Sequence, residues 1–333
     1  MTQPIFKSPL FWTALIATMI YIFHPIVILI FIAFMIANSL RPLINWVEAK
    51  GIPRWVGIAS IYLGLILLVG SLSALIFPTL IRQGNDFIQT FPDTLNQLSE
   101  QTSNILNLPE FRIENTLQDI NLVDILGQGL FTITTEAIAI GFQAFSLLVI
   151  TFYLLLQPDA LKNFFLSFTP SKHQSYAKDI WIKVESKLGD WVRGELILIS
   201  MIGVYIYVVL LATGLGEFAL IIAVISALLE IIPLVGSTVS VLLGSLVAFE
   251  QSPFMAALVA VLLIIGQQIQ SQIVLPRVMT HNVGLNPLII LVAILMGSHI
   301  LGSVGALISV PIAAVASIVY DEWKSSRSPQ TNS

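Results

Sequence analysis

The sequence predicts an all-α protein that crosses a membrane several times. Hydrophobic residues make up 56% of the 333-residue chain and charged residues only 10%, whereas a soluble domain carries about 25% charged residues. A helix of about 20 apolar residues spans the hydrocarbon core of a bilayer, and several stretches without Asp, Glu, Lys or Arg reach that length. These stretches are 8–40, 55–81, 137–158, 196–216, 251–276 and 278–320.

The first segment, 1–81, is predicted to contain a helical hairpin followed by a third span. Basic residues flank both ends of stretch 9–40, so both ends are expected on the cytoplasmic side and the stretch is expected to form a hairpin that turns near His24-Pro25. Basic residues are retained on the cytoplasmic side of membrane proteins, so their distribution predicts orientation. The parts expected to be cytoplasmic are the N-terminus, 41–54, 159–195 and the tail 321–333.

Segment 82–136 is predicted to be an extracytoplasmic helical segment, because it holds two basic residues against eight acidic ones. Apolar residues recur every three or four positions on both sides of Pro109, which is typical of amphipathic helices. They are Phe87, Phe91, Leu95, Leu98, Leu117, Ile120, Val123 and Leu126. The segment is either an external cap or partner surface, or a connector that packs on the membrane domain.

Segment 137–158 is the fourth predicted span, and 159–195 follows it as a cytoplasmic amphipathic segment. Its apolar residues recur with helical spacing, and most of its basic residues lie elsewhere on the helix. The spaced residues are Tyr176, Ile180, Val184, Leu188 and Trp191. We favour an interfacial helix that docks the preceding span over a regulatory gate on the inner leaflet.

The membrane core, 196–320, contains two apolar segments that are each too long for one crossing. Phe218–Phe249 has 32 residues and Pro287–Tyr320 has 34, or about 48 and 51 Å as straight helices. Glu230-Ile-Ile-Pro-Leu-Val-Gly-Ser237 interrupts the first, and the glycine-rich stretch Gly297–Gly305 interrupts the second. We therefore predict broken or re-entrant helical hairpins in the C-terminal third and about eight apolar segments in all.

Glu230 is the leading candidate for a transport residue. A charged side chain at the bilayer centre costs about 2.5 to 3.5 kcal/mol, so it normally faces the protein interior or a water-filled cavity. Glu230 is predicted to carry a proton or to bind a cation; the alternative is that it caps a helix or lies at the interface.

Three further polar residues, Gln268, Gln272 and His299, are weaker candidates for contact with a polar solute or a proton. Gln268 and Gln272 lie four positions apart on one helix face, and histidine titrates near neutral pH. Each also has an ordinary structural interpretation as a hydrogen-bonded group beside a helix break. The expected helix-break or gating residues are Pro233, Gly236, Gly302, Gly305 and Pro311.

Small residues are spaced every four positions after the first predicted break and again around the second, which favours close helix packing. The first set is Gly236, Ser240, Gly244 and Ala248, and the second is Ser298, Gly302 and Ala306. We expect packing within the chain, with a homo-oligomer interface as a second use.

Catalytic functions find little support. The sequence has no Gly-x4-Gly-Lys-Ser/Thr loop for ATP, no His-Glu-x2-His zinc motif and no cysteine, and its four histidines are scattered. We therefore expect no enzyme, no cofactor, no metal site and no nucleic-acid partner.

Five motifs stand out in the second half of the chain: KLGDWVRGE at 187–195, EIIPLVG at 230–236, QIVLPR at 272–277, GLNP at 284–287 and GSVGALISVP at 302–311. Their order resembles the autoinducer-2 exporter family of bacterial membrane proteins, also called PerM-like permeases. Asn286 departs from the histidine expected before Pro287, so a proton role for that histidine does not transfer.

The resemblance implies a multi-pass protein of the bacterial inner membrane that transports without ATP. The expected substrate is a small polar solute, exported with coupling to H⁺ or Na⁺, and the other expected partner is the lipid bilayer. The alternative is a membrane scaffold or envelope-assembly protein that does not transport.

Overall fold

A computed structural model describes residues 22–106, 141–232, 235–278 and 287–325. Within these ranges the chain is helical and contains no strand, so the predicted all-α class is confirmed. The first arm of the expected N-terminal hairpin, the part of the external segment beyond 106, and Pro233 lie outside the described residues.

The first two described helices are α1 (His24–Glu48) and α2 (Arg54–Leu106). Helix α1 begins at the predicted turn, with Pro25 in its first turn, where a missing backbone N–H costs nothing. Helix α2 has 53 residues and is about 80 Å long, far more than the hydrocarbon core of about 30 Å. The third span therefore continues as one helix into the segment expected to be external.

The next two helices, α3 (Gly141–Leu156) and α4 (Ala160–Ser167), are bent by 81° relative to each other. A single 3₁₀ turn, Ser171–His173, then leads into α5 (Gln174–Ala212). Helix α5 has 39 residues and holds both the predicted amphipathic helix and the span after it. The amphipathic segment and that span are thus one continuous helix.

The C-terminal helices are shorter, except for the last one, which consists of two helical arms joined by a kink at Gly302. They are α6 (Gly216–Leu229), α7 (Val235–Phe249), α8 (Pro253–Ile269), a π-helical turn (Gln270–Val274), α9 (Leu275–Val278) and α10 (Pro287–Ser325). Ser252 caps α8, because its side chain accepts a hydrogen bond from the Met255 N–H at 3.1 Å.

The chain divides into two compact units, Met1–Ala59 with Ala139–Gly189 and Ser60–Ile138 with Asp190–Ser333. In the first unit, two arginines bind the end of α3, where the bend leaves backbone carbonyls without helical partners. Arg54 donates to the Leu155 carbonyl at 2.7 Å and Arg41 to the Pro158 carbonyl at 2.9 Å. Arg41 also pairs with Glu185 at 3.0 Å, which fixes α1 against α5.

In the second unit, α7 packs against α6 and α8 through its small residues. All four residues of the first predicted ridge, Gly236, Ser240, Gly244 and Ala248, are buried. A Cβ built on Gly244 would lie 2.7 Å from Leu263 Cδ1 in α8, so a small residue is what allows this approach. The expectation of packing within the chain is confirmed for this ridge.

A side chain from α2 also holds the start of α6. Gln83 is buried, its Oε1 accepts from the Ile221 N–H at 2.9 Å, and its Nε2 donates to the Gly216 carbonyl at 3.3 Å. The long helix α2 is therefore bonded to the first arm of the α6–α7 hairpin.

Both long apolar segments fold back on themselves, as predicted. A Cβ on Gly236 would lie 2.5 Å from the Ser226 carbonyl oxygen, whereas ten residues of straight helix would separate them by about 15 Å. In α10, Gly302 has φ 63° and ψ −144°, and a Cβ on Gly305 would lie 1.9 Å from the Gly297 carbonyl oxygen. Broken hairpins in the C-terminal third are confirmed.

The prediction of close packing along the second set of small residues is wrong. Ser298 and Gly302 are exposed and only Ala306 is buried, because Gly302 forms the turn of the hairpin instead of lying on a packed helix face.

Five described helices are long and apolar enough to cross a membrane, or six if the bent α3–α4 pair forms one span. The predicted count of about eight apolar segments is matched only loosely.

Candidate functional site

Glu230 lies at the turn of the α6–α7 hairpin. It is the C-cap residue of α6, with φ −63° and ψ −20°, and its N–H donates to the Ser226 carbonyl at 2.9 Å. The residue is half-buried. The helix break therefore places a carboxylate beside the packed core of the second unit.

Gln270 is the side-chain partner of this carboxylate. Its Nε2 donates to Glu230 Oε1 at 3.2 Å, across 40 positions of sequence. Gln270 ends α8 and begins the π-helical turn Gln270–Val274. Such turns are rare, and they occur frequently at functional sites because they redirect side chains out of the regular helix pattern.

Three oxygen atoms around this contact are buried without a hydrogen-bond partner among the described residues. They are Glu230 Oε2, Gln270 Oε1 and Ser226 Oγ. The backbone N–H of Ser237, in the first turn of α7, also interacts with the Glu230 carboxylate, in accord with the capping interpretation. Buried polar atoms are usually satisfied, so the unpaired oxygens suit a ligand that brings protons or positive charge.

Gly236 is the residue that lets the hairpin close around Glu230. A Cβ at this position would lie 2.4 Å from the Glu230 nitrogen and 2.6 Å from its Cα. Both are backbone atoms that cannot rotate away, so a larger residue would force the two arms apart.

Glu195 on α5 is a second acidic residue at this site, and it was absent from the predicted set. It is half-buried and within electrostatic range of Glu230. Two interacting carboxylates repel each other, and a proton or a cation at either one relieves the repulsion. The available signal was a carboxylate at the start of an apolar span, immediately after Trp191-Val-Arg-Gly.

The other predicted polar residues lie apart from the Glu230–Gln270 contact. Gln272 Nε2 donates to Gln268 Oε1 at 3.0 Å, and both side chains are on the exposed side of their helix. His299 is exposed near the turn of the α10 hairpin. In the described part of the chain, the glutamine that meets Glu230 is therefore Gln270.

The remaining predicted break residues have distinct positions. Gly302 is the turn of the α10 hairpin, Gly305 contacts Gly297 across it, and Pro311 is fully buried in the second arm. Among the described residues, no group of three His, Cys, Asp or Glu side chains is placed to hold a metal ion.

Comparison with known sequences gives the family directly. The sequence profile of the AI-2E family transporters matches residues 10–325, nearly the whole chain. The chain belongs to the AI-2E transporter family. The resemblance expected from the five motifs is thereby confirmed.

Individual relatives are distant but aligned over most of their length. "Putative transport protein YrrI" of Bacillus subtilis is 24% identical over 94% of this chain and 90% of the relative. YueF of the same species is 24% identical over 95% and 85%, and YhhT of Escherichia coli is 23% identical over 90% and 85%; both bear the same description. Family and relatives indicate a multi-pass membrane transporter rather than an enzyme.

Proposed function

We propose that this AI-2E family member is a secondary transporter that exports a small polar solute, with transport coupled to H⁺ or Na⁺ through Glu230. The observation that carries the proposal is the Glu230–Gln270 contact with its unpaired buried oxygens, set between helices whose other buried residues are mostly apolar. A carboxylate whose oxygen is shielded from water attracts a cation more strongly than an exposed one, because water screens its charge less.

The surrounding helices supply the geometry that transport requires. Secondary transporters bind substrate and coupling ion where helices break near the middle of the membrane, since freed backbone groups and helix ends face the site there. Glu230 lies at such a break, and Gln270 lies at a π-helical turn opposite it. A change in the charge of Glu230 would alter its contact with Gln270, and so the link between the end of α6 and the π-helical turn after α8.

The absence of an ATP-binding loop from the sequence fits an ion gradient as the energy source. Export, rather than import, follows from the family resemblance and is part of the proposal.

The test is ion flux in proteoliposomes that contain the full chain. An imposed Na⁺ or pH gradient should drive movement of the counter-ion, read with radioactive sodium and an internal pH-sensitive dye. Glu230→Gln keeps the shape of the side chain and removes its charge, so it should abolish coupled flux.

The matched control is Glu217→Gln, an exposed acidic residue in the first turn of the same helix, which should leave flux unchanged. If Glu230→Gln transports like the parent with the same pH dependence, Glu230 does not carry the coupling ion. If the folded parent chain moves neither ion under any gradient, exchange of Na⁺ for H⁺ through Glu230 is excluded.

A further inference from the structure

The first unit contains a short helix whose orientation differs sharply from the span before it. Helix α4 is bent by 81° away from α3, an apolar helix that is about 24 Å long. If α3 runs across the bilayer, α4 lies nearly parallel to its surface. Helices in that position have one face in the acyl region and charged residues at the headgroup level.

Two aromatic side chains, on Phe164 of α4 and on Phe168 just after it, are largely exposed within the described part of the chain. Phe164 and Phe168 lie one turn apart on the same face, 57% and 74% exposed, with ring centroids 5.1 Å apart. Phe165, which is 51% exposed, contacts the Phe164 ring at 5.6 Å between centroids and the Trp181 ring of α5 at 5.3 Å. These ring contacts connect the exposed aromatic face to the rest of the unit.

Lysines lie at both ends of this helix. Lys162 in its first turn pairs with Asp159, and Lys178 is within electrostatic range of the same carboxylate. Lys172 lies in the 3₁₀ turn beyond Phe168, where Gln174 donates to the Thr169 carbonyl at 3.3 Å and ties the turn to α4. Lys172 and Lys178 are both exposed.

The local charge is opposite in sign to that of the whole chain. Residues 159–189 hold five lysines and three acidic residues, an excess of two positive charges, in a chain of net charge −4. Each lysine held near an anionic leaflet strengthens association about fivefold. The aromatic face and the flanking positive charges therefore match the two layers of an anionic lipid surface.

We propose that α4 and the turn after it form a binding surface for anionic phospholipid headgroups. Phe164 and Phe168 enter the acyl region, and Lys172 and Lys178 contact the headgroup phosphates. The surface belongs to the first unit, so it is independent of the transport site proposed at Glu230.

The absence of cysteine from the sequence makes a local probe simple. Asn163→Cys places one exposed thiol on α4, and a fluorophore on it reports lipid contact in the reconstituted full chain. Quenching by brominated phosphatidylglycerol is compared with quenching by brominated phosphatidylcholine at equal mole fraction. A label at Ser303→Cys, exposed on the α10 hairpin, serves as the reference position.

We expect preferential quenching by phosphatidylglycerol at position 163 and a smaller preference or none at position 303. Lys172→Gln with Lys178→Gln should weaken the preference by about fivefold per lysine, and so should high salt. Lys172→Arg with Lys178→Arg retains the charge and should retain the preference. Equal quenching by the two lipids in the parent chain, or an unchanged preference in the double glutamine variant, would overturn the proposal.

Discussion

Gly236→Ala is the substitution that tests the closed hairpin most directly. The added methyl group would lie 2.4 Å from the Glu230 nitrogen and 2.5 Å from the Ser226 carbonyl oxygen. Non-bonded heavy atoms pack best at about 3.5 Å or more, so the two arms must separate by about 1 Å. Since the opposing atoms belong to the backbone, no side-chain rotation can relieve the clash.

The expected cost follows from these contacts. Overpacking of a core usually costs about 1 to 3 kcal/mol, and the rigid backbone on the opposing arm places this site at the upper end. Replacing glycine by alanine inside a helix returns about 1 kcal/mol. The net loss is about 2 kcal/mol, which corresponds to a melting temperature lower by roughly 4 to 8 °C.

The assay is thermal unfolding of the purified full chain, followed by tryptophan fluorescence. Gly70→Ala is the control, because a Cβ there meets nothing within 4 Å, and it should be neutral or slightly stabilising. Gly244→Ala should fall between them, since its methyl group meets the flexible end of Leu263. If the Gly236→Ala protein has the same melting temperature as the parent or as the Gly70→Ala protein, Gly236 does not approach the α6 backbone this closely.

Three further substitutions have defined outcomes in the same unfolding assay. Tyr205→Phe removes the 2.6 Å hydrogen bond to the Leu262 carbonyl and should cost about 1 kcal/mol; an unchanged melting temperature would exclude that bond as stabilising. Gly302→Ala forces a side chain into the φ 63°, ψ −144° conformation and should cost about 1 to 3 kcal/mol, whereas Gly64→Ala, in open space, should not. Glu185→Gln leaves Arg41 without its ion-pair partner and should destabilise more than Glu48→Gln, because the Glu185 side chain is 13% exposed and that of Glu48 is 47% exposed.

The two hairpins were predictable because each apolar segment is longer than one crossing of the bilayer requires. An apolar segment of more than 30 residues cannot cross a bilayer upright, and Pro233 with Gly236, or Gly302, marks where the chain can turn. Glycine was informative in two different ways. Gly302 supplies a backbone conformation that other residues avoid, while Gly236 keeps helical dihedral angles and supplies only space.

The lengths of α2 and α5 were not predictable in the same way. The distribution of charged residues predicts two membrane boundaries, near Arg82 and near Glu195. One predicted span therefore ends at 81 and another begins at 196. A helix does not have to end at that boundary, because its backbone hydrogen bonds are satisfied in water and in lipid alike. Helix α2 runs through the boundary, and Gln83, the residue after Arg82, binds α6.

The choice between Gln268 and Gln270 depends on which face of α8 is buried. An i, i+4 spacing pairs Gln268 with Gln272 correctly, and the two do bond, but the spacing does not say where the pair points. The buried residues of α8 are Val259, Leu263 and Gly266, and the next position on that stripe is Gln270. A helix that is apolar on all sides hides this stripe from a periodicity argument. Gly266, against which the ring of Tyr205 packs, was the available mark of the buried face, and counting one turn onward from it leads to Gln270.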